Sequence, residues 1–456
     1  MPGLKNDLTE GSVLKKLIIF AVPFLLSNIV QSLYNVADML IVGRFCGPES
    51  MAGVNIGGQV TLILTNIVVG LCMGATVLIS QYTGSKNEAA LKRVTATILT
   101  LLVAVGVFVT VVMVFLREPI LHLIQTPPEA FSETNNYLTV TLMGIVFIFA
   151  YNALSSILRG TGDSKHPFIF VLCACVTNIV LDLLFVAVFE WAAFGAALAT
   201  VISQALSVVL CVIFMARSDF HFDFKLKSFR IHMDQLKLIF KIGLPTCVQN
   251  TVVSVSFLFI TSTVNLVGGV AASAGVGAMQ KFNSFAFMPT MAISASISTM
   301  AAQNIGANKL DRAIKACKLG TVFAVFVTYA FFVLVRVFPV PILSLFGDDS
   351  AMIAAGVEYL NTFSYDFLFI PFIFCLNGFF IGGGHTMFTL MSSMLSSVIL
   401  RVPLTYLLGV TMQWGLHGIG MAAPIASAGA ILAIVAFLMT GRWKHNVVKN
   451  RVVEDV

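Results

Sequence analysis

Charge is what this sequence has least of. Asp, Glu, Lys and Arg make up 11% of its 456 residues, where a soluble domain carries about 25%. With 58% hydrophobic residues and a mean hydropathy of +0.95, the chain reads as a polytopic membrane protein. No polar run leaves room for a soluble domain. Catalytic signatures are missing too. There is no H-E-x-x-H, no G-x-S-x-G and no G-x-x-x-x-G-K-[ST], so no enzyme, no bound cofactor and no ATP-driven step is expected. The stretch 268–277, GGVAASAGVG, lacks the third glycine of a nucleotide loop. The eight cysteines show no metal spacing, and most lie inside apolar segments as small filler. The net charge of +6 sits at the ends of apolar segments rather than in a patch, so no nucleic-acid partner is expected. Tryptophan is scarce at 3, whereas Phe (39) and Met (19) are abundant and suit lipid contact or an adaptable apolar cavity.

What the sequence does have is apolar length. Twelve spans are predicted, at roughly 14–43, 52–81, 94–116, 136–158, 167–189, 194–215, 236–264, 273–303, 317–338, 359–381, 386–410 and 416–440. The longest polar stretch, 217–235, reads as an amphipathic linker at the membrane surface between a lobe at 1–216 and a lobe at 236–456. The polar N-terminus has no cleavage site behind a short apolar core, so the first span is expected to be retained. Of the 27 lysines and arginines, 22 fall in the tails and loops of one side. The positive-inside rule makes that side, with both termini, cytoplasmic.

The chain also repeats itself. A shift of 222 residues brings Pro23 onto Pro245, Gln81 and Gly84 onto Gln303 and Gly306, and Gly160 and Gly162 onto Gly382 and Gly384. Each half then has six spans, an even number, so both insert in the same direction. The fold class predicted is all-α: twelve transmembrane helices in two six-helix lobes related by a parallel repeat.

Against this apolar background a few polar side chains are conspicuous. In the first span Asn28, Gln31, Asn35 and Asp38 are spaced 3, 4 and 3 apart, on one helix face. In the fifth, Asn178 and Asp182 are four apart. Asn152 and Thr200 lie in the fourth and sixth. A carboxylate in a span costs roughly 2.5–3.5 kcal/mol on insertion scales, so Asp38 and Asp182 need a reason to be there. Brought together with amide and hydroxyl oxygens, they suit a hard cation, or they hold a proton between them. The competing reading for each polar residue is hydrogen bonding between packed helices. The shift of 222 lands Asp38 on Ile260 and Asp182 on Leu404, so an ionic site would belong to the first lobe alone. In the second lobe, Asp366 and Arg401 read as an intramembrane ion pair, and Lys281 as a residue that snorkels or lines a cavity.

The proline fifteen residues before an acid followed by Val-Gly (Pro23, Asp38, Val42, Gly43), the two Q-x-x-G stretches and L-R-G-x-G-D at 158–163 together resemble the multidrug and toxic compound extrusion (MATE) transporters. The resemblance covers about 14–440 and is closer to the DinF-like branch. A Glu of the NorM-like branch is missing from 251–260, and the place of its tenth-span Asp is taken by Ile370, one turn after Asp366. The resemblance implies a secondary exporter that exchanges amphipathic, often cationic drugs for Na⁺ or H⁺ by alternating access of two lobes. It implies that Asp38, Asn178, Asp182 and Thr200 couple the ion, and ligate it if it is Na⁺. Gln31, Tyr34, Asn35 and Asn152 would line the drug cavity, and Pro23 would be a hinge. It further implies a monomer in the plasma membrane of a prokaryote-like cell, with small-molecule drugs and lipid as partners. The alternatives are a flippase for a lipid-linked precursor, which would want a cationic cavity, and a membrane sensor that does not transport.

Overall fold

The computed structural model describes residues 7–218, 220–446 and 448. About 88% of the chain is helical, and there are no strands among the described residues. The first half gives α1 (Val13–Phe45), α2 (Gly47–Gly84), α3 (Glu88–Leu123), α4 (Pro128–Gly160), α5 (Lys165–Asp182) and α6 (Ala192–Arg217). Then comes α7 (Met233–Gly306), which breaks at Gly269, where φ is 59°. The second half continues with α8 (Leu310–Val337), the short α9 (Pro339–Ser344), α10 (Ser350–Phe363), α11 (Ile370–Gly382), α12 (Thr386–Met394), α13 (Val402–Tyr406) and α14 (Gly415–Met439). Among the described residues, nine helices are long and apolar enough to cross a membrane, and two bent pairs bring this to eleven. Dividing α7 at Gly269 makes twelve, and the chain is an integral membrane protein.

The helix ends follow local chemistry. The Asn87 side chain accepts from Ala90 N at 3.0 Å and starts α3, and Asp349 does the same for α10 with Ala351 N at 2.8 Å. Pro23 lies inside α1, where it removes one backbone donor; its own carbonyl accepts from Ser27 Oγ at 2.9 Å.

The repeat is written in the backbone. Positive φ recurs at Gly47 and Gly269, Lys86 and Asn308, and Gly162 and Gly384, each pair 222 apart. Close approaches recur as well. A Cβ on Gly160 would meet Thr76 O and Ile79; on Gly382 it would meet Ser298 O and Ala301, the same positions after the shift.

Toward the end of each half the shift becomes 223. Trp191 N donates to Phe185 O at 2.9 Å, and Trp414 N to Leu408 O at 3.1 Å. Positive φ at Glu190 and Ala192 matches Gln413 and Gly415. The extra residue sits in a π-helical stretch, Leu395–Arg401, that the α-helical α5 lacks. A π turn widens the helix by about one residue and absorbs an insertion without turning the faces around. A second π stretch, Leu183–Val188 after α5 and Leu407–Thr411 after α13, is common to both halves. The sequence pairing of Asp182 with Leu404 is therefore corrected: its counterpart is Thr405, and that of Asn178 is Arg401. Neither is an acid.

By packing, the chain forms two compact units. Unit 1 holds Val22–Leu244, and unit 2 holds Leu8–Ala21 together with the chain from Pro245 on. Both divisions fall beside the paired prolines, Pro23 and Pro245. The stretch 217–235 packs within unit 1. In unit 2, Leu8, Val13, Leu17 and Phe20 share a core with Ile293, Ile297, Met300 and Phe380. A second core gathers Ile260, Met279, Tyr359, Phe363 and Phe367. In unit 1, Val42, Val54, Tyr137, Val186 and the alanines at 193, 196 and 197 pack together beside Asp38.

Candidate functional site

Unit 1 gathers the predicted acids. Asp38 lies in α1, fifteen residues after Pro23, and is 6% exposed; Asp182, the last residue of α5, is fully buried. The two side chains lie close enough to share a hydrogen bond when one of them carries a proton. Two carboxylates in such contact require a proton or a cation between them, because two bare negative charges in a low-dielectric interior repel strongly. Among the described residues no other group donates to Asp38 Oδ1 or Asp182 Oδ1, both of which are buried.

Asn178 sits one turn before Asp182 on the same face and is also fully buried. With its amide oriented by its neighbours, Nδ2 donates to Asp182 Oδ2 at 2.9 Å, and Oδ1 accepts from Thr200 N at 3.3 Å. Thr200 Oγ1 accepts from Tyr34 Oη at 2.8 Å. Tyr34 is one turn before Asp38 on α1. One chain of contacts thus links α1, α5 and α6: Tyr34 to Thr200, Thr200 to Asn178, Asn178 to Asp182, and Asp182 to Asp38.

The other sequence candidates stand apart from this chain. Gln31 and Asn35 are exposed. Asn152 is half-buried and spends its amide on its own helix, with Nδ2 donating to Ile148 O at 2.8 Å. Of the four polar residues predicted to share a face of α1, Asp38 alone is buried.

Two contributors carried no sequence signal. Tyr137 of α4 is buried and is an electrostatic neighbour of both Asp38 and Asp182. Its ring lies where a Cβ on Gly57 would come within 2.5 Å, so that glycine makes its room. Glu133 lies one turn earlier. Its Oε2 accepts from Ala193 N at 3.1 Å and from Ser50 Oγ at 3.4 Å. It thereby satisfies a free amide at the start of α6 and fixes the helix that carries Thr200. Only the spacing of Glu133 and Tyr137, one turn apart, hinted at a shared face.

Unit 2 is built differently. Asp366 is 3% exposed and accepts from Ser427 Oγ at 2.5 Å. It lies in the 3₁₀ turn Ser364–Leu368 of a span bent by 44°. The expected ion pair with Arg401 is not formed. Among the described residues the ion pairs within 4.0 Å are Arg93–Asp234, Arg117–Glu118, His166–Asp163 and Lys225–Asp223. The Arg401 guanidinium stands over Phe257 at 5.1 Å and Phe363 at 5.7 Å instead. Lys281 is exposed.

The MatE family profile matches residues 23–184 and 245–407, one match per repeat. The probable multidrug resistance protein YpnP of Bacillus subtilis is 30% identical over 444 residues, covering 96% of this chain and 97% of its own length. Two solved structures share the fold. An outward-facing multidrug resistance MATE family transporter of the MOP superfamily has a TM-score of 0.89 at 22% identity, covering 96% of this chain and 98% of its own. A MATE in the bent conformation has a TM-score of 0.90 at 23% identity, covering 96% and 97%. The two profile matches start at the paired prolines, 222 residues apart, and end at residues 223 apart, so the repeat seen in the backbone is the family's own unit: the chain belongs to the MATE family of multidrug efflux transporters.

Proposed function

We propose that this transporter is a secondary antiporter whose coupling ion, Na⁺ or H⁺, is held in unit 1 by Asp38 and Asp182 with Asn178 and Thr200. The reading rests on one observation: two buried carboxylates in hydrogen-bonding contact, which need a positive charge between them. Oxygen donors from two acids, an amide and a hydroxyl suit a hard monovalent cation, and the shared hydrogen bond suits a proton. Moving one charge through 100 mV supplies roughly 2.3 kcal/mol, enough to bias two states of α1.

The cargo is an amphipathic small molecule, often cationic, as the family resemblance implies. Alternating access of the two lobes moves it, with Pro23 as the hinge of α1, since its missing donor leaves one turn weaker than the rest. A solved relative in fold is named for a bent conformation, and a bend at Pro23 would move Asp38 relative to α5. The charge bias puts both termini in the cytoplasm.

Asp38→Asn tests this in inverted vesicles. Drug uptake driven by an imposed Na⁺ gradient or by an imposed pH gradient identifies the ion in the wild type. The variant is expected to insert normally and to lose gradient-driven uptake. Full gradient-driven uptake by Asp38→Asn would remove Asp38 from the coupling role.

A further inference from the structure

Arg401 is the residue that neither the fold nor the ion site accounts for. It lies in a membrane-spanning segment, Thr386–Thr411, where an arginine is expensive and marks a functional site by default. It ends the π-helical insertion that distinguishes unit 2, and it takes the place that Asn178 holds in unit 1. No carboxylate lies within 4.0 Å of it among the described residues. The nearby acid, Asp366, is already bonded to Ser427 at 2.5 Å. Arg401 is held instead by rings: Phe257 at 5.1 Å, Phe363 at 5.7 Å, and the Tyr359 hydroxyl within hydrogen-bonding reach. One turn on, Thr405 is 1% exposed and its Oγ1 has no partner among the described residues. Phe257 is 38% exposed and Arg401 is only partly buried, so the guanidinium is reachable.

A guanidinium has five N–H donors in a planar fork that matches carboxylate and phosphate oxygens. Stacking on rings fixes its plane while leaving the edge donors free. Aromatic rings flank the fork, and a buried hydroxyl lies one turn away. Such a place takes a negatively charged head group carried on an apolar body.

We propose that Arg401, clamped between Phe257 and Phe363, is a binding site for the anionic head of an amphiphile. Asp366, tied to Ser427, offsets part of the charge from beyond ion-pair distance and lets the anion remain exchangeable. The cargo of this transporter then includes zwitterionic or anionic amphiphiles as well as cationic ones. The site is independent of the ion-coupling reading, since equilibrium binding needs no gradient.

The test uses the full chain in phosphatidylcholine nanodiscs, with N-dodecanoylglycine and its methyl ester as probes, measured by calorimetry. The wild type is expected to bind the acid about tenfold more tightly than the ester, a difference of about 1.4 kcal/mol. Arg401→Gln is expected to lose the preference while keeping its affinity for the ester, and Arg401→Lys to retain part of it. Asp366→Asn is expected to tighten acid binding, because it removes the opposing charge. Equal affinities in the wild type would overturn the proposal, as would a preference that survives Arg401→Gln. If Arg401 served only to balance Asp366, Asp366→Asn would unfold at lower temperature without binding the acid more tightly, and this too would overturn it. Nanodiscs containing phosphatidylglycerol separate the sources of the anion. Competition in the wild type that is absent in Arg401→Gln identifies a lipid head group; acid binding unchanged by that lipid identifies a free amphiphile.

Discussion

At the scale of single residues, the acid pair makes a claim about stability that a structural role would not make. Asp182 is fully buried, bonded to Asn178 and in contact with Asp38. A residue kept for packing lowers stability when it is changed. A second acid kept for ion binding is a burden in the empty site, because a like-charged partner and a buried oxygen without a donor both disfavour the fold. Asp182→Asn supplies an amide donor to Asp38, so it is expected to raise Tm by a few degrees, on the order of 1 kcal/mol. It is also expected to abolish ion-driven uptake. A fall in Tm with transport retained would make Asp182 a packing residue. These acids were legible in the sequence because a carboxylate in an apolar span is costly wherever it points. Asn178 was legible from its spacing to Asp182. Tyr137 was not, since an aromatic in a span is ordinary until Gly57 and Asp38 are placed around it. Glu133 was not, because its task of meeting the free amide of Ala193 depends on where α6 begins.

At the scale of elements, the twelve spans and the repeat were legible, because apolar runs and glycine motifs are local. The step from 222 to 223 was not. A π insertion changes no composition and no periodicity over a few residues, and it shows only when Trp191 and Trp414 are seen making the same bond. Glycine positions make the packing of the repeat testable. A Cβ on Gly382 would come within 2.4 Å of Ser298 O, a backbone atom that cannot step aside, whereas for a Cβ on Gly160 the nearest atom is the Ile79 Cγ2, at 2.7 Å, and the nearest backbone atom is Thr76 O, at 3.1 Å. Gly277 has nothing within 4 Å and lies in the second arm of α7. Gly382→Ala is therefore expected to destabilise by about 1–3 kcal/mol, and Gly160→Ala by less. Gly277→Ala is expected to stabilise by about 0.5–1 kcal/mol through helix propensity alone. Thermal unfolding in detergent orders the three. Equal losses at all three positions would contradict the close approaches that define the repeat.

At the scale of the whole molecule, one helix belongs to both units. α1 packs in unit 2 as far as Ala21 and in unit 1 from Val22 onward, so the proposed bend at Pro23 would carry Asp38 along only if the start of α1 is held. The chain ahead of α1 is the holder. Leu8 is 2% exposed; its N–H donates to Gln303 Oε1 at 3.3 Å, and its carbonyl accepts from Asn304 Nδ2 at 3.2 Å. Lys309 Nζ donates to Thr9 O at 3.0 Å, and Arg312 donates to Glu10 O and Gly11 O, each at 2.8 Å. Gln303 stood out in the sequence as part of a repeated motif, and its side chain receives this strap. The start of α7 is held in the same manner within unit 1, where His232 N donates to Thr97 Oγ1 at 3.1 Å and Asp234 pairs with Arg93 at 3.4 Å. Charge-assisted bonds of this kind contribute about 1.5–3 kcal/mol each when buried, and less here because Arg312 is partly exposed. Arg312→Ala is expected to free residues 8–11 for limited proteolysis and to lower drug uptake per ion moved, because α1 can then shift at its foot instead of bending at Pro23. Ion binding to the acid pair should stay within about twofold of wild type, roughly 0.4 kcal/mol, since no atom of that site is touched. Arg312→Lys, which keeps a donor near Gly11, should restore part of the coupling. Unchanged coupling in a variant whose strap is cut by protease would show that α1 needs no anchor, and it would move the hinge away from Pro23.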